Sequence, residues 1–379
     1  MRDVLDFVAE VPLVDHHCHG VVTGAVDREG FEGMLTEADG VSPWGTSLFE
    51  SLVGLAVRER CAPVLDLPKH APADEYLARR AELGAEEVNR RFLRATGTTD
   101  FLLDGGFQPG ALTGTAEFAD LAGARAHDVV RLEQVAEDVV RAGTTASRFA
   151  ADFQAELQKR TEHAVGVKSI AAYRVGLELD GERPDAVEVT DAVGRWLSRV
   201  SAGLPLRLRD EVLHRHLIWA GIDLGLPVQF HVGYGDSDVD LHRCDPLLLT
   251  AFLRATRGSG VPILLLHNYP FHRNAAYLAQ VFEHVFVDTG LITHNAGLRA
   301  PAILAETLEL VPFGKLLFST DAFGLAELYH LGTSLFRQGL SDFLEAALAA
   351  DALSEVDAQR LVRLAAHQNA NRIYRLEPR

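Results

Sequence analysis

The feature that most constrains this chain is a recurrence of eight short apolar runs, each ending in a polar or charged residue. They are LVDHHCH (13–19), TTDFLLDGG (98–106), DVVRLEQ (128–134), AVGVKSIAAY (164–173), LPVQFHVG (226–233), VPILLLHN (261–268), HVFVDTG (284–290) and KLLFSTDA (315–322). A continuous apolar run implies a strand covered on both faces, which is the mark of a parallel sheet. Helical patterns fall between the runs, over 208–224, 245–257, 271–283 and 301–311. His231 and His267 are 36 residues apart and Asp288 and Asp321 are 33 apart, each about one βα unit. Eight such units predict a (β/α)₈ TIM barrel over an open doubly wound sheet. A short helix is expected over 2–10 and a closing helix over 355–376. Residues 27–95 are rich in Ala, Leu, Glu and Arg and are broken at Pro43, Gly45, Pro63, Pro68 and Pro72. That is too much chain for one crossover helix, so it reads as a helical insertion after strand 1, forming a cap. With no linker in view, 1–379 reads as a single domain.

Barrel chemistry sits at the C-terminal ends of strands. Side chains alternate along a strand, so His17 and His19 share a face, while His16 and Cys18 point the other way. An H-x-H pair of this kind can grip a divalent ion, and Asp15 shares its face. Lys168, His231, His267 and Asp321 each end an apolar run of their own. A single polar strand end is usually a satisfied core group. Five ends bearing four His, one Lys and one Asp would bury costly unpaired groups unless they met a metal.

Several further residues sit near these ends. Arg174 and Tyr173, just past the lysine strand, are candidates to hold a substrate carboxylate through the arginine fork, with a structural ion pair as the equal alternative for Arg174. Glu327, a turn or two past Asp321, is a candidate to line the substrate site or support the metal. Asp104, Glu133 and Asp288 are expected at strand ends. Arg273 reads as a helix start and Asp236 as a turn or cap. His214 and His216 stand two apart on a helix and read as surface. His272, His294 and His330 read as loop residues.

Composition narrows the partners. With 36 basic and 53 acidic residues the net charge is −17, which argues against nucleic acid and against an anionic membrane surface. No stretch approaches the eighteen uninterrupted apolar residues of a membrane span. Three cysteines, Cys18, Cys61 and Cys244, make no disulfide framework and suit a reducing, cytoplasmic setting. The acidic N-terminus does not read as a targeting peptide. A small-molecule substrate is the expected partner, and a homo-oligomer is left open.

The order H-x-H, Lys, His, His, Asp resembles the amidohydrolase superfamily. The segments VDHHCH, LLDGGF, VVRLE, GVKSIAAYRVGL, QFHVGYGD, LLLHNYPFHRNAAYLA, VFVDTGL and LLFSTDAFGLAELYHLG resemble its amidohydrolase-2 branch. Within it they are most similar to the amidohydrolase-like half of proteins that also carry a glutamine-synthetase-like half, which this chain lacks. The resemblance implies that His17 and His19 are the strand-one ligands, His231 the strand-five ligand and Asp321 the strand-eight carboxylate. His267 matches a histidine that either binds a second metal or polarises substrate. Lys168 matches a lysine that bridges two metals when carbamylated, and an ion pair or a carboxylate contact is its other reading. The implied cofactor is one or two divalent ions, zinc first, with manganese or iron equally suited to such ligands. The implied activity is hydrolysis of an amide or related C–N bond in a small carboxylated molecule, with Asp321 moving the proton and His267 assisting. A metal-dependent decarboxylase or other lyase, and a non-catalytic regulatory module, are the competing readings.

Overall fold

The structure is a computed structural model that describes residues 2–108 and 110–377. Seven of the expected runs form strands: β1 (Leu13–Cys18), β2 (Thr98–Asp104), β3 (Arg125–Arg131), β4 (Gly166–Ser169), β5 (Val228–Val232), β6 (Ile263–His267) and β7 (Val285–Val287). They follow one another in chain order in one sheet, and the pairings are parallel. Every residue of β1, β4, β5 and β6 is buried, as strands covered on both faces must be. Helices separate the strands, and the fold is an α/β fold of the TIM-barrel type with a helical insertion after β1.

The eighth run, 315–322, is not a regular strand. It nevertheless bonds alongside β1 in a parallel ladder: His16 N to Phe318 O at 3.0 Å, Asp321 N to His17 O at 2.9 Å and His19 N to Ala322 O at 2.9 Å. On its other side Leu291 N reaches Thr320 O at 2.8 Å. Asp321 breaks the extended run because its backbone is left-handed, with φ 51°. The third run also differs from expectation. β3 starts earlier, and the helix Leu132–Arg141 begins directly after it, so Glu133 lies in a helix's first turn and not at a strand end. The helical spacing of Leu132, Val135, Ala136, Val139 and Val140 explains this, since all five are buried on one face.

The chain divides into two compact units. One comprises Met1–His127, Gly235–Ser237 and Asp288–Arg379, the other Asp128–Tyr234 and Asp238–Val287. In the first, the insertion between β1 and β2 folds into short helices and turns. Phe31, Phe49 and Tyr76 from the insertion join Phe101 of β2, Phe118 and Tyr329 in one apolar core. Burying each such ring contributes about 1.5–3 kcal/mol. The insertion therefore packs with β1, β2 and the long helix Ala326–Ala349. In the second unit, Asp185 and Glu188 form a reciprocal cap on the helix Ala186–Ser201. Asp210 caps the helix Glu211–Asp223, accepting from Leu213 N at 3.3 Å. Among the described residues, no helix is long and apolar enough to cross a membrane.

Candidate metal centre

In the first unit, β1 and the left-handed turn at Asp321 bring three predicted ligands together. His17 Nε2 lies 3.0 Å and His19 Nε2 3.3 Å from the same atom, Asp321 Oδ1. One ligand atom from each residue falls within 4.8 Å of the others, and all three residues are buried. Two imidazole nitrogens and a carboxylate oxygen converging on one point are a donor set suited to Zn, Mn or Fe. A carbonyl fixes one of the rings. His19 Nδ1 lies 3.0 Å from Asp104 O, which accepts its proton and leaves the Nε2 lone pair facing Asp321. The Tyr329 hydroxyl donates to His19 O from the other side.

The neighbours of these ligands hold the strands in place. Asp15 accepts from Thr320 N at 3.0 Å and from Thr320 Oγ1 at 2.5 Å, fixing the residue before Asp321. Burial pushes the Asp15 carboxyl up to about 8, against the lowering effect of those bonds. His16 faces away from His17 and ties Asp288 Oδ2, at 2.8 Å, to the Tyr374 hydroxyl, at 3.0 Å. A side chain at Gly290 would force Ser319 to move. A Cβ there would sit 2.2 Å from Ser319 Oγ and 3.4 Å from Asp321 Cβ. Cys18 Sγ points to Leu102 O, on the face opposite the histidines.

Glu37 is a site neighbour that sequence reasoning missed. Burial, and then the Asp321 and Asp236 carboxylates, push its carboxyl up to about 7. It lies in an irregular part of the insertion, where no periodicity marks a residue's direction.

The second unit gathers another group. His231, near the end of β5, has its ring 4.4 Å from Tyr173 and 4.7 Å from His267. His267 ends β6 with a left-handed backbone, φ 69°. Such conformations in non-glycine residues concentrate where structure serves a site. Lys168 is buried on β4, in register with Arg131 of β3 and Gln229 of β5. The next residue, Ser169, donates to Glu133 Oε1 at 2.7 Å, and Ile170 N donates to the same atom at 2.9 Å. Arg174 Nη2 stands 3.8 Å from Glu137 Oε1.

Other predicted positions fall elsewhere. Glu327 is fully buried in the helix Ala326–Ala349, where Oε1 accepts from Arg80 Nε at 2.8 Å and from the Tyr76 hydroxyl at 3.2 Å. It fastens the insertion to that helix and presents no surface to a substrate. His214 is not a surface residue: it is buried, with Nδ1 2.9 Å from Asp210 O and Nε2 3.7 Å from Glu133 Oε1. His216 is also half-buried, packed against Phe149 and Phe153. Their helix is buried almost all round, so helical spacing alone could not tell a wet face from a dry one. His272, His294 and His330 lie in helices and not in loops: His272 opens the helix His272–Val281, inside the pattern read over 271–283, His294 lies in the single turn Ile292–Asn295 and His330 in the first turns of Ala326–Ala349. Arg273 lies in the first turn of His272–Val281, as expected.

Comparison with known proteins shows the family and the fold. The family model described as "Amidohydrolase" matches residues 14–376. The protein fluG of Emericella nidulans is 26% identical over 406 residues, a region covering 96% of this chain and 46% of that protein. The chain thus spans about half the length of this curated relative. A Lactobacillus casei ATCC 334 crystal structure, assigned as a metal-dependent hydrolase, is 29% identical with a TM-score of 0.87, covering 98% of this chain and 97% of that one. The uronate isomerase of Thermotoga maritima superposes with a TM-score of 0.66 at 15% identity, covering 98% and 96% of the two chains, a likeness of fold alone.

Proposed function

Since the chain belongs to the amidohydrolase family, we propose that it is a metal-dependent hydrolase that cleaves an amide or related C–N bond in a small carboxylated molecule. The observation that carries this reading is the convergence of His17 Nε2 and His19 Nε2 on Asp321 Oδ1. The similarity to the Lactobacillus casei protein supports it. His17, His19 and Asp321 would hold the ion. The family resemblance adds His231, with Lys168 and His267 if two ions bind and Lys168 is carbamylated. A divalent ion, zinc first and manganese or iron next, supplies Lewis acidity and water of lowered pKa. Asp321 takes the proton from the attacking water and returns it to the leaving nitrogen. His267 polarises the substrate carbonyl when it is not itself a ligand. Residues 1–379 act as one enzyme, with 27–95 as a cap that supports the ligand strand. Three free cysteines, all buried, suit a cytoplasmic setting.

The test has two parts. Elemental analysis of the purified protein should find one or two divalent ions per chain. A screen of small ω-amido acids against metal-loaded protein should release an amine or ammonia. No metal, and none taken up on titration, would sink the reading. Release of CO₂ in place of an amine would move the activity to the decarboxylase class.

A further inference from the structure

Arg207 carries no motif and lies in the irregular segment before the helix Glu211–Asp223. Its Nη2 donates to Tyr173 O at 3.0 Å and its Nη1 to Asp238 Oδ2 at 2.7 Å. Tyr173 follows β4 in a short helical turn and is followed by Arg174, so the two arginines flank one residue. The ring of that residue is the one lying 4.4 Å from His231.

Neither guanidinium is fully used by the protein. The Arg174 side chain is 13% exposed, and its acid neighbour Glu137 stands at 3.8 Å, beyond hydrogen-bond reach. Glu137 Oε1 already accepts from Leu208 N at 3.0 Å. The buried Nε atoms of both Arg174 and Arg207 meet no hydrogen-bond acceptor. A buried N–H without an acceptor is costly, and so are like charges brought close in a half-buried place. Burial, and then the Arg207 charge, hold the Arg174 guanidinium below its usual value, with Arg131 adding to the effect. Two such groups meet at Tyr173, whose ring packs on His231, a placement that suits an anion.

We propose that Arg174 and Arg207 together bind a carboxylate of the substrate beside Tyr173, with Arg207 a specificity residue equal to Arg174. This rests on the hydrolase reading above and deepens it by naming the residues that recognise the free carboxylate of the substrate. Arginine suits the task because its planar fork offers two parallel donors to a carboxylate. An amide in the same place would return a donor where an acceptor is wanted.

The test is calorimetric titration of the metal-loaded full chain with glutarate, glutaramide and inorganic phosphate. Glutarate should bind at least tenfold more tightly than glutaramide. Arg174→Gln and Arg207→Gln should each weaken glutarate at least tenfold with metal content unchanged. Arg207→Lys, which keeps the charge but not the fork, should fall between wild type and Arg207→Gln, and it serves if the glutamine variant does not fold. No glutarate binding at millimolar concentration would overturn the inference. So would equal affinity for glutaramide, or glutarate affinity within twofold of wild type in the substituted proteins. Phosphate binding tenfold tighter than glutarate would overturn the carboxylate assignment. Metal content is read separately, so loss of the hydrolase reading and loss of this one give different results.

Discussion

Replacing Glu327 with leucine tests whether its carboxylate is an anchor or a substrate contact. Glu327 and Arg80 are 0% and 3% exposed, and their bond is 2.8 Å. Arg80 also lies over the Phe31 ring, 5.6 Å from its centroid, and Tyr76 donates to the same carboxylate oxygen. Glu327→Leu leaves the guanidinium and the phenol without their acceptor in a dry place. Breaking a buried pair by removing one partner costs about 3–5 kcal/mol. Replacing both charges with apolar groups of similar volume is often neutral. Glu327→Leu should therefore lower the stability of the protein by about 3–5 kcal/mol. Glu327→Leu with Arg80→Met should recover most of that loss. Urea unfolding followed by circular dichroism measures both, and metal content should stay at the wild-type level in every folded variant. A loss under about 1 kcal/mol in the single variant would refute the anchor, since even ordinary substitutions average that much. A double variant no better than the single one would refute the charge argument.

Asp321→Asn should lower kcat by about 10²–10⁴ with metal retained, because asparagine cannot take a proton at neutral pH; near-wild-type turnover in a metal-replete sample would remove Asp321 from the chemistry. Gly290→Ala should cost about 1–3 kcal/mol of stability and weaken metal binding, since its Cβ would meet Ser319 Oγ at 2.2 Å; equilibrium dialysis with the metal reads the second effect. Burial holds the His214 and His330 imidazoles below their usual value. The folded protein then resists protons that the unfolded chain accepts, so this stability is full above about pH 6.5 and is lost as pH falls below it, by up to about 1.4 kcal/mol per pH unit for each histidine. The raised Asp15 and Glu37 carboxyls act in the opposite sense over the same range, so the comparison is with His214→Asn and His330→Asn: urea midpoints in these variants that change between pH 7 and pH 5.5 just as in wild type would contradict this.

Much of the fold was legible because parallel strands are buried on both faces, and that writes continuous apolar runs into the sequence. The runs ending at His17–His19, His231 and His267 mark β1, β5 and β6 to within a residue or two. The convergence on Asp321 was legible for the same reason, since His17, His19 and Asp321 each sit where an apolar run stops. What stayed hidden depends on partners far along the chain. Glu327 looks like a pocket residue until Arg80, 247 positions away, is seen on it. Glu133 looks like a strand end until the helix Leu132–Arg141 is seen to start there. Arg207 and Glu37 lie in irregular segments, where no period predicts which way a side chain turns. His214 reads as surface because it stands two positions from His216 on a helix and the two do not face each other, yet almost every face of that helix is covered.

The bond between His16 and Tyr374 joins residues 358 positions apart, and β1 lies against the segment around Phe318 and Ala322. The strand bearing His17 and His19 is made long before its supports on this side. On the ribosome, the edge of β1 that bonds to Phe318 and Ala322 must wait unpaired until that segment has emerged. His17 and His19 can meet Asp321 only after that, so the three-residue cluster forms only once the chain has emerged past Asp321. Its slowest folding event should be the long-range docking of the helix Asn369–Tyr374 against β1, as expected where distant contacts govern the rate.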